Sequence, residues 1–183
     1  MGMPAVPESV TTVDELLALP DDGLRHELLD GVHVVSLAPS YRHQAVHAAL
    51  FAHLHAAAEA HPGWDALSSP ADIILGVRTL VQPDLFVIRH DPGRTPVSWE
   101  DVGTPVLAVE ILSSSTAARD RVTKRHLYQR AGVTEYWIVD MDARVIERWR
   151  PEDQRPEVCD RSFEWALPDG PSGSLRLESV FGR

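Results

Sequence analysis

The apolar positions of this chain follow two rhythms, one with helical spacing and one with the continuous runs of buried strands. Thr12-Val13-Asp14-Glu15 has the capping-box pattern ahead of LLAL, which predicts a short helix over about 13 to 19, ended by Pro20. RHELLD and VHVVSL follow, split by Asp30-Gly31, a pair that turns a tight hairpin. From Ser40 to Ala60 the residues Val46, Ala49, Leu50, Leu54 and Ala57 recur at helical spacing until Pro62-Gly63 stops the run. ADIILGV and VQPDLFVI read as strands, and residues 90 to 104 read as a surface loop. PVLAVEIL is apolar on both faces, as in a central strand covered on both sides. SSST then caps a helix over about 117 to 131, closed by Gly132. EYWIVD and RVIERW are two more strands joined near Met141 to Ala143, and the tail after Pro151 is expected to add a last strand or two. The order predicts an α/β fold, a mixed sheet flanked by helices with an N-terminal helix and β-hairpin, in a single domain over residues 1–183.

Two carboxylates break the pattern. Asp84 lies inside VQPDLFVI beside Pro83, which has no ladder N–H, and Glu110 lies in the middle of AVEIL. A buried carboxylate needs a proton, a cation or a metal. Either acid alone could end its strand at the surface or pair with an arginine. Together on consecutive strands they point to a shared divalent cation, since Mg²⁺ takes one or two carboxylates and keeps several waters.

Lys124 is the third candidate. Of 17 basic residues, 16 are arginine and this is the single lysine. At about 100° per residue it shares a helix face with Ala117, Arg121, Leu127, Tyr128 and Ala131, the face expected to pack on the sheet. A lysine can snorkel past a core edge there, but so can arginine, and a compact ammonium serves better to orient a water or meet a phosphate oxygen. Asp120, one turn earlier, is read as a structural partner of the helix N-terminus or of the lysine. Glu27, which by alternation shares a face with Arg25 and Leu29, is a fourth candidate. Of the nine histidines most read as surface residues, with His43, near a helix start, placed to face a site. His43 and His47 are four apart, but no HExxH accompanies them.

Composition narrows the function classes. Hydrophobic content of 44% and charged content of 24% are ordinary for a globular domain with a real core. A net charge of −10 argues against a general nucleic-acid coating protein, although Arg119, Arg121, Lys124, Arg125 and Arg130 cluster against Asp120 alone. No glycine-rich phosphate loop, GxSxG elbow, helix-turn-helix or zinc finger is visible. Cys159 is the lone cysteine, excluding an internal disulfide. MGMPAVPESV has neither a secretory pattern nor, with Val6, a myristoylation motif, and no apolar run is long enough to span a bilayer. A cytoplasmic protein without a membrane role is the expectation.

An Asp after Pro on one strand, a Glu on the next and a Lys nearby resemble the PD-(D/E)XK nuclease superfamily. More narrowly, LLALPDDGLRHELLDG, VQPDLFVI, PVLAVEILSSSTAARDRVTKRHLYQRAGVTEYWIVD and RVIERW resemble a family of short stand-alone bacterial restriction-endonuclease-like proteins, over a core of about residues 12 to 150 with an extension over 151–183. The resemblance implies the restriction-endonuclease-like fold and a Mg²⁺- or Mn²⁺-dependent endonuclease, with DNA as substrate. It implies that Asp84, Glu110 and the Ile111 carbonyl hold the metal, that Glu27 completes the site, and that Lys124 orients the attacking water or meets developing charge. Arg119, Arg121 and Arg125 would lead the nucleic-acid backbone in. The superfamily lysine commonly sits two residues after the acid, where this chain has Leu112, so the role passes to Lys124 on the following helix. A homodimer with paired sites would suit double-strand cleavage. A nuclease-like fold that binds nucleic acid or protein without cleavage is the alternative.

Overall fold

The computed structural model describes residues 9–94, 96–113 and 116–182. The reading of the first eight residues, and the Ser114-Ser115 part of the expected helix cap, lie outside the described residues.

Local chemistry sets the first elements. Helix α1 (Val13–Leu17) starts at a complete Thr12/Glu15 capping box. Strands β1 (Arg25–Leu29) and β2 (Val32–Ser36) form the expected hairpin, with Asp30 and Gly31 both at positive φ, 56° and 85°. That is the backbone a two-residue turn demands and the reason Gly31 follows Asp30. Ser40 caps α2 (Tyr41–Glu59), whose Val46, Leu50, Leu54 and Ala58 are buried.

The remaining strands are β3 (Trp64–Ser68), β4 (Ile73–Gly76), β5 (Thr79–Val81), β6 (Leu85–Arg89), β7 (Leu107–Ile111), β8 (Glu135–Asp140), β9 (Val145–Trp149), β10 (Glu157–Cys159), β11 (Ser162–Ala166) and β12 (Ser172–Arg176), with a final helix α5 (Leu177–Phe181). A six-stranded sheet runs β10-β9-β8-β7-β6-β3, a four-stranded sheet runs β2-β1-β5-β4, and β11-β12 form a ribbon. In the large sheet only β7 and β8 pair in parallel. Their crossover is one helical run: α3 (Ala117–Arg119), a π turn (Asp120–Lys124) and α4 (Arg125–Arg130). The sheet is thus mixed and central, with α2 on one face and the crossover helix on the other.

Strand β7 divides these two layers by alternation. Leu107, Val109 and Ile111 pack with Val46, Leu50 and Leu54 of α2, while Ala108 packs with Phe86, Leu127 and Tyr128 on the crossover side. Glu110 has the parity of Ala108, so it points toward the crossover helix.

Three expectations change. VQPDLFVI is not one strand: β5 belongs to the small sheet and β6 to the large one, with Gln82-Pro83-Asp84 passing between them. Pro83 has no N–H to continue a ladder, so the chain leaves one sheet before it and enters the other after it. Strand β3, WDALS, was not anticipated; only Trp64 and Ala66 in it are buried apolar residues, a short signal. The tail holds three strands and a helix, and it fills the core: Phe163 and Trp165 meet the ring of Trp137 edge-on at 4.6 and 5.5 Å. Among the described residues no helix is long and apolar enough to cross a membrane.

Candidate active site

Asp84 and Glu110 meet because of strand register. Leu85 pairs with Val109, so one step further Asp84 falls opposite Glu110, where the ladder ends at Pro83. Glu110 faces the crossover helix, whereas Asp84, at the break between β5 and β6, meets His43 of α2. The Ile111 N–H, left without a strand partner, donates to Asp84 Oδ2 at 2.8 Å. The small sheet brings the third acid. Glu27, on the inward face of β1, accepts the Gln82 N–H at 2.8 Å, fixing the segment that carries Pro83 and Asp84.

The crossover helix inserts Lys124 between these acids. Its Nζ lies 2.7 Å from Glu110 Oε1 and 2.8 Å from Glu27 Oε1, with Asp120 Oδ1 at 4.0 Å. Lys124 is only 2% exposed, and the two buried charged residues of the helical run, Asp120 and Lys124, sit in the π turn. Single π turns inside helices commonly mark functional sites. Tyr128 donates to Glu110 Oε1 at 3.1 Å, and Tyr136 donates to the Asp120 carbonyl at 3.2 Å.

Asp84 has a separate set of partners. Arg25 Nη1 lies 3.0 Å from Oδ1, His43 Nε2 lies 3.2 Å from Oδ2, and His47 Nε2 lies 3.2 Å from the Asp84 carbonyl. Arg25 Nη2 also donates to the Gln82 carbonyl. All these groups except Gln82, His47 and the two tyrosines line one cleft of about 490 Å³, which the β2–α2 connection also lines with Leu37 and Ser40.

Burial acts to raise the Asp84 pKa, but His43, Arg25 and the Ile111 N–H outweigh it and hold the carboxyl at about 2. Burial pushes Glu110 well above the usual carboxylate range, with Lys124 opposing. Burial also acts against the Lys124 charge, yet Glu110, Glu27 and Asp120 outweigh it and raise the ammonium above the ordinary lysine value. With Nζ in contact with two carboxylate oxygens, the charged ammonium is the state the geometry supports.

The sequence-predicted residues divide cleanly. Asp84, Glu110, Glu27, Lys124, Asp120, His43 and Ile111 converge on the cleft, and Arg119 lines it. Arg121 and Arg125 do not: Arg121 is held by Asp140 and Glu147 at 2.6 Å, and Arg125 stacks on Trp149 at 4.6 Å. Their charges belong to the packing of the helix on β8 and β9, a pairing that helical position alone does not reveal. Sequence reasoning left out Arg25, His47 and Tyr128. Each had a signal: Arg25 alternates with Glu27, His47 follows His43 by one helical turn, and Tyr128 lies on the Lys124 face.

The donor chemistry fits a hard divalent cation, because the cleft presents carboxylates from four separate segments, Glu27, Asp84, Glu110 and Asp120. Among the described residues, Asp120 Oδ1, Arg25 Nε, His43 Nδ1 and Arg119 Nε are buried there without hydrogen-bond partners. Buried polar atoms are normally satisfied, so the cleft is built for a polar occupant. In the present arrangement cations hold the acids, and among the described residues no three His, Cys, Asp or Glu side chains already surround a metal-sized point.

The family model Uma2, described as "Putative restriction endonuclease", matches residues 13–177, and the chain belongs to this family. A solved structure described as "a putative nuclease belonging to DUF820 from Anabaena variabilis ATCC 29413" is 21% identical, with 93% of this chain and 97% of that chain covered at a TM-score of 0.74. At that identity the likeness establishes the shared fold. No protein in the curated comparison matches the chain.

Proposed function

We propose that this member of the Uma2 family is a Mg²⁺- or Mn²⁺-dependent phosphodiesterase that cuts DNA. The observation that carries the reading is the convergence of Asp84, Glu110, Glu27 and Lys124 from four separate segments at the floor of one cleft. Asp84 and Glu110 would hold the cation with the Ile111 carbonyl, and Glu27 completes the acidic floor. A divalent cation so held supplies Lewis-acid stabilisation of phosphate charge and lowers the pKa of water.

The residues themselves do the positioning. An ammonium has three donors; Lys124 donates to Glu110 and turns a second toward Glu27, with which it forms an ion pair. The third is left to orient a water or meet charge developing on a phosphate oxygen. Tyr128 and the Lys124 ammonium hold the same Glu110 oxygen, which fixes that carboxylate before substrate arrives. Arg119 supplies a cation at the cleft wall. We place the activity in a reducing cytoplasm, in keeping with the free thiol of Cys159, and a homodimer would set two clefts on one duplex.

The test is titration of Mg²⁺ or Mn²⁺ with DNA and RNA substrates, wild type against Asp84→Ala and Lys124→Ala. Metal-dependent cleavage of DNA by wild type alone is the expected result. Undiminished nicking by folded Asp84→Ala would end this reading. One observation favours a second reading, in which the fold binds nucleic acid or protein without cleaving it: the Arg25 guanidinium occupies Asp84. Under that reading DNA binding is independent of added metal and no product forms.

A further inference from the structure

The position of Arg25 has a consequence for substrate binding. Its side chain is 26% exposed and enters the cleft from β1, on the same strand face as Glu27. One nitrogen lies on Asp84, another on the Gln82 carbonyl, and Nε is buried without a partner among the described residues. Asp84 and Glu110 raise its pKa against the effect of burial. In this arrangement Arg25 occupies an oxygen of the carboxylate that the metal reading assigns to a cation.

Charge balance gives the guanidinium a destination. Four carboxylates line the cleft, Glu27, Asp84, Glu110 and Asp120, and three full side-chain cations face them, Arg25, Arg119 and Lys124. With histidine left aside, the set carries one surplus negative charge. A divalent cation turns that into one surplus positive charge, the amount that a single phosphodiester neutralises. The group set free in that exchange is Arg25, because Lys124 is locked between two acids and Arg25 is bound to the one acid that Lys124 does not touch. A guanidinium presents a planar fork that matches a phosphate's oxygens, which an ammonium cannot do.

We infer that Arg25 is the residue that receives the substrate's phosphodiester, and that in the metal-free protein it is parked on Asp84, where it competes with the divalent cation. This rests on the metal-dependent reading above. Arg25 is then a catalytic residue by contact with the phosphate and a placeholder before it.

The two roles have opposite signs in a variant, which makes them testable. In Arg25→Met, calorimetric titration of Mn²⁺ into DNA-free protein should show tighter uptake by about fivefold, roughly 1 kcal/mol, since the largely buried ion pair to Asp84 no longer competes. At saturating Mn²⁺ the same variant should cleave plasmid DNA at least about 100-fold more slowly, the loss expected for one charge-stabilising donor. Arg25→Lys, which keeps the charge without the fork, should hold Mn²⁺ affinity near wild type and still lose most cleavage. Far-UV circular dichroism establishes that each variant is folded, and Arg25→Lys carries the test if Arg25→Met does not fold. Unchanged or weaker Mn²⁺ binding by folded Arg25→Met overturns the placeholder role, and wild-type cleavage by either variant overturns the phosphate contact. Absence of Mn²⁺ uptake by wild type overturns the metal reading itself, a result distinct from failure of the Arg25 variants alone.

Discussion

Replacing Lys124 by methionine keeps the length of the side chain and removes its charge. The ammonium sits 2.7 and 2.8 Å from two buried carboxylate oxygens. At an effective dielectric near 20 each contact is worth about 6 kcal/mol before desolvation is subtracted. Desolvating three ions offsets most of that, and losing one partner of a buried pair costs roughly 3–5 kcal/mol net. Protonation sets the ceiling. A carboxylate stranded without its cation can take up a proton, at about 1.4 kcal/mol per pH unit above its unfolded value near 4.3, or roughly 5 kcal/mol at pH 8 and about 2 at pH 6. In Lys124→Met the opposing charge of Lys124 is gone and burial acts on Glu110 without it, so Glu110 is the group that takes up the proton. A carboxyl whose folded pKa is raised contributes stability below its unfolded pKa and loses it as pH rises toward the folded value. Lys124→Met should therefore be destabilised by about 4 kcal/mol at pH 8 and by about 2 at pH 6, with a melting temperature roughly 10 °C lower at pH 8. Urea unfolding of both proteins at the two pH values, followed by circular dichroism, measures the gap. A gap under about 1 kcal/mol at pH 8, or one that does not widen from pH 6, would refute the assignment of Lys124 as the cation that keeps these acids ionised.

Other consequences can be measured separately. The Asp84 carboxyl is held at about 2 against a reference of 3.8. Because that pKa is depressed, its contribution of roughly 2 kcal/mol is full above pH 4 and lost as pH falls to about 2, so the stability gap between wild type and Asp84→Asn should close over that interval. A gap that stays constant in acid unfolding curves would show that the ion pair and hydrogen bonds to Asp84 are not its source. Arg119→Ala should lower the salt slope of DNA binding by about one counterion, whereas Arg121→Ala should leave it unchanged because Arg121 is committed to Asp140 and Glu147. Equal slopes for the two variants would place the nucleic-acid path elsewhere. Gly63 has φ +83° and an added Cβ would lie 2.5 Å from the His90 carbonyl, so Gly63→Ala should cost roughly 2 kcal/mol in thermal or urea unfolding.

Much of the fold is written in short-range chemistry. The capping box at Thr12, the Asp30-Gly31 turn, the alternation in LAVEI and the helix ending at Gly132 each depend on neighbouring residues and were readable one element at a time. β3 was missed because its apolar content is small and its burial is decided by pairing with β6. The contribution of the tail was harder to read for a similar reason. Phe163 and Trp165 sit in a strand of ordinary polarity, and only their contact with Trp137 makes them core.

The site divides in the same way. From the sequence came the unusual placement of Asp84 and Glu110 among apolar neighbours and the position of the single lysine on a packing face. Those are statements about what is costly to bury, and they hold before any partner is known. Which cation meets which acid was decided in space. Arg25 reaches Asp84 across 59 positions of chain, and Arg121 turns away to Glu147 across 26. Pro83 explains both sides of the division. Its missing N–H forbids a continuous ladder in any fold, but only the packing of two sheets makes that break the point where β5 ends, β6 begins and Asp84 turns into the cleft.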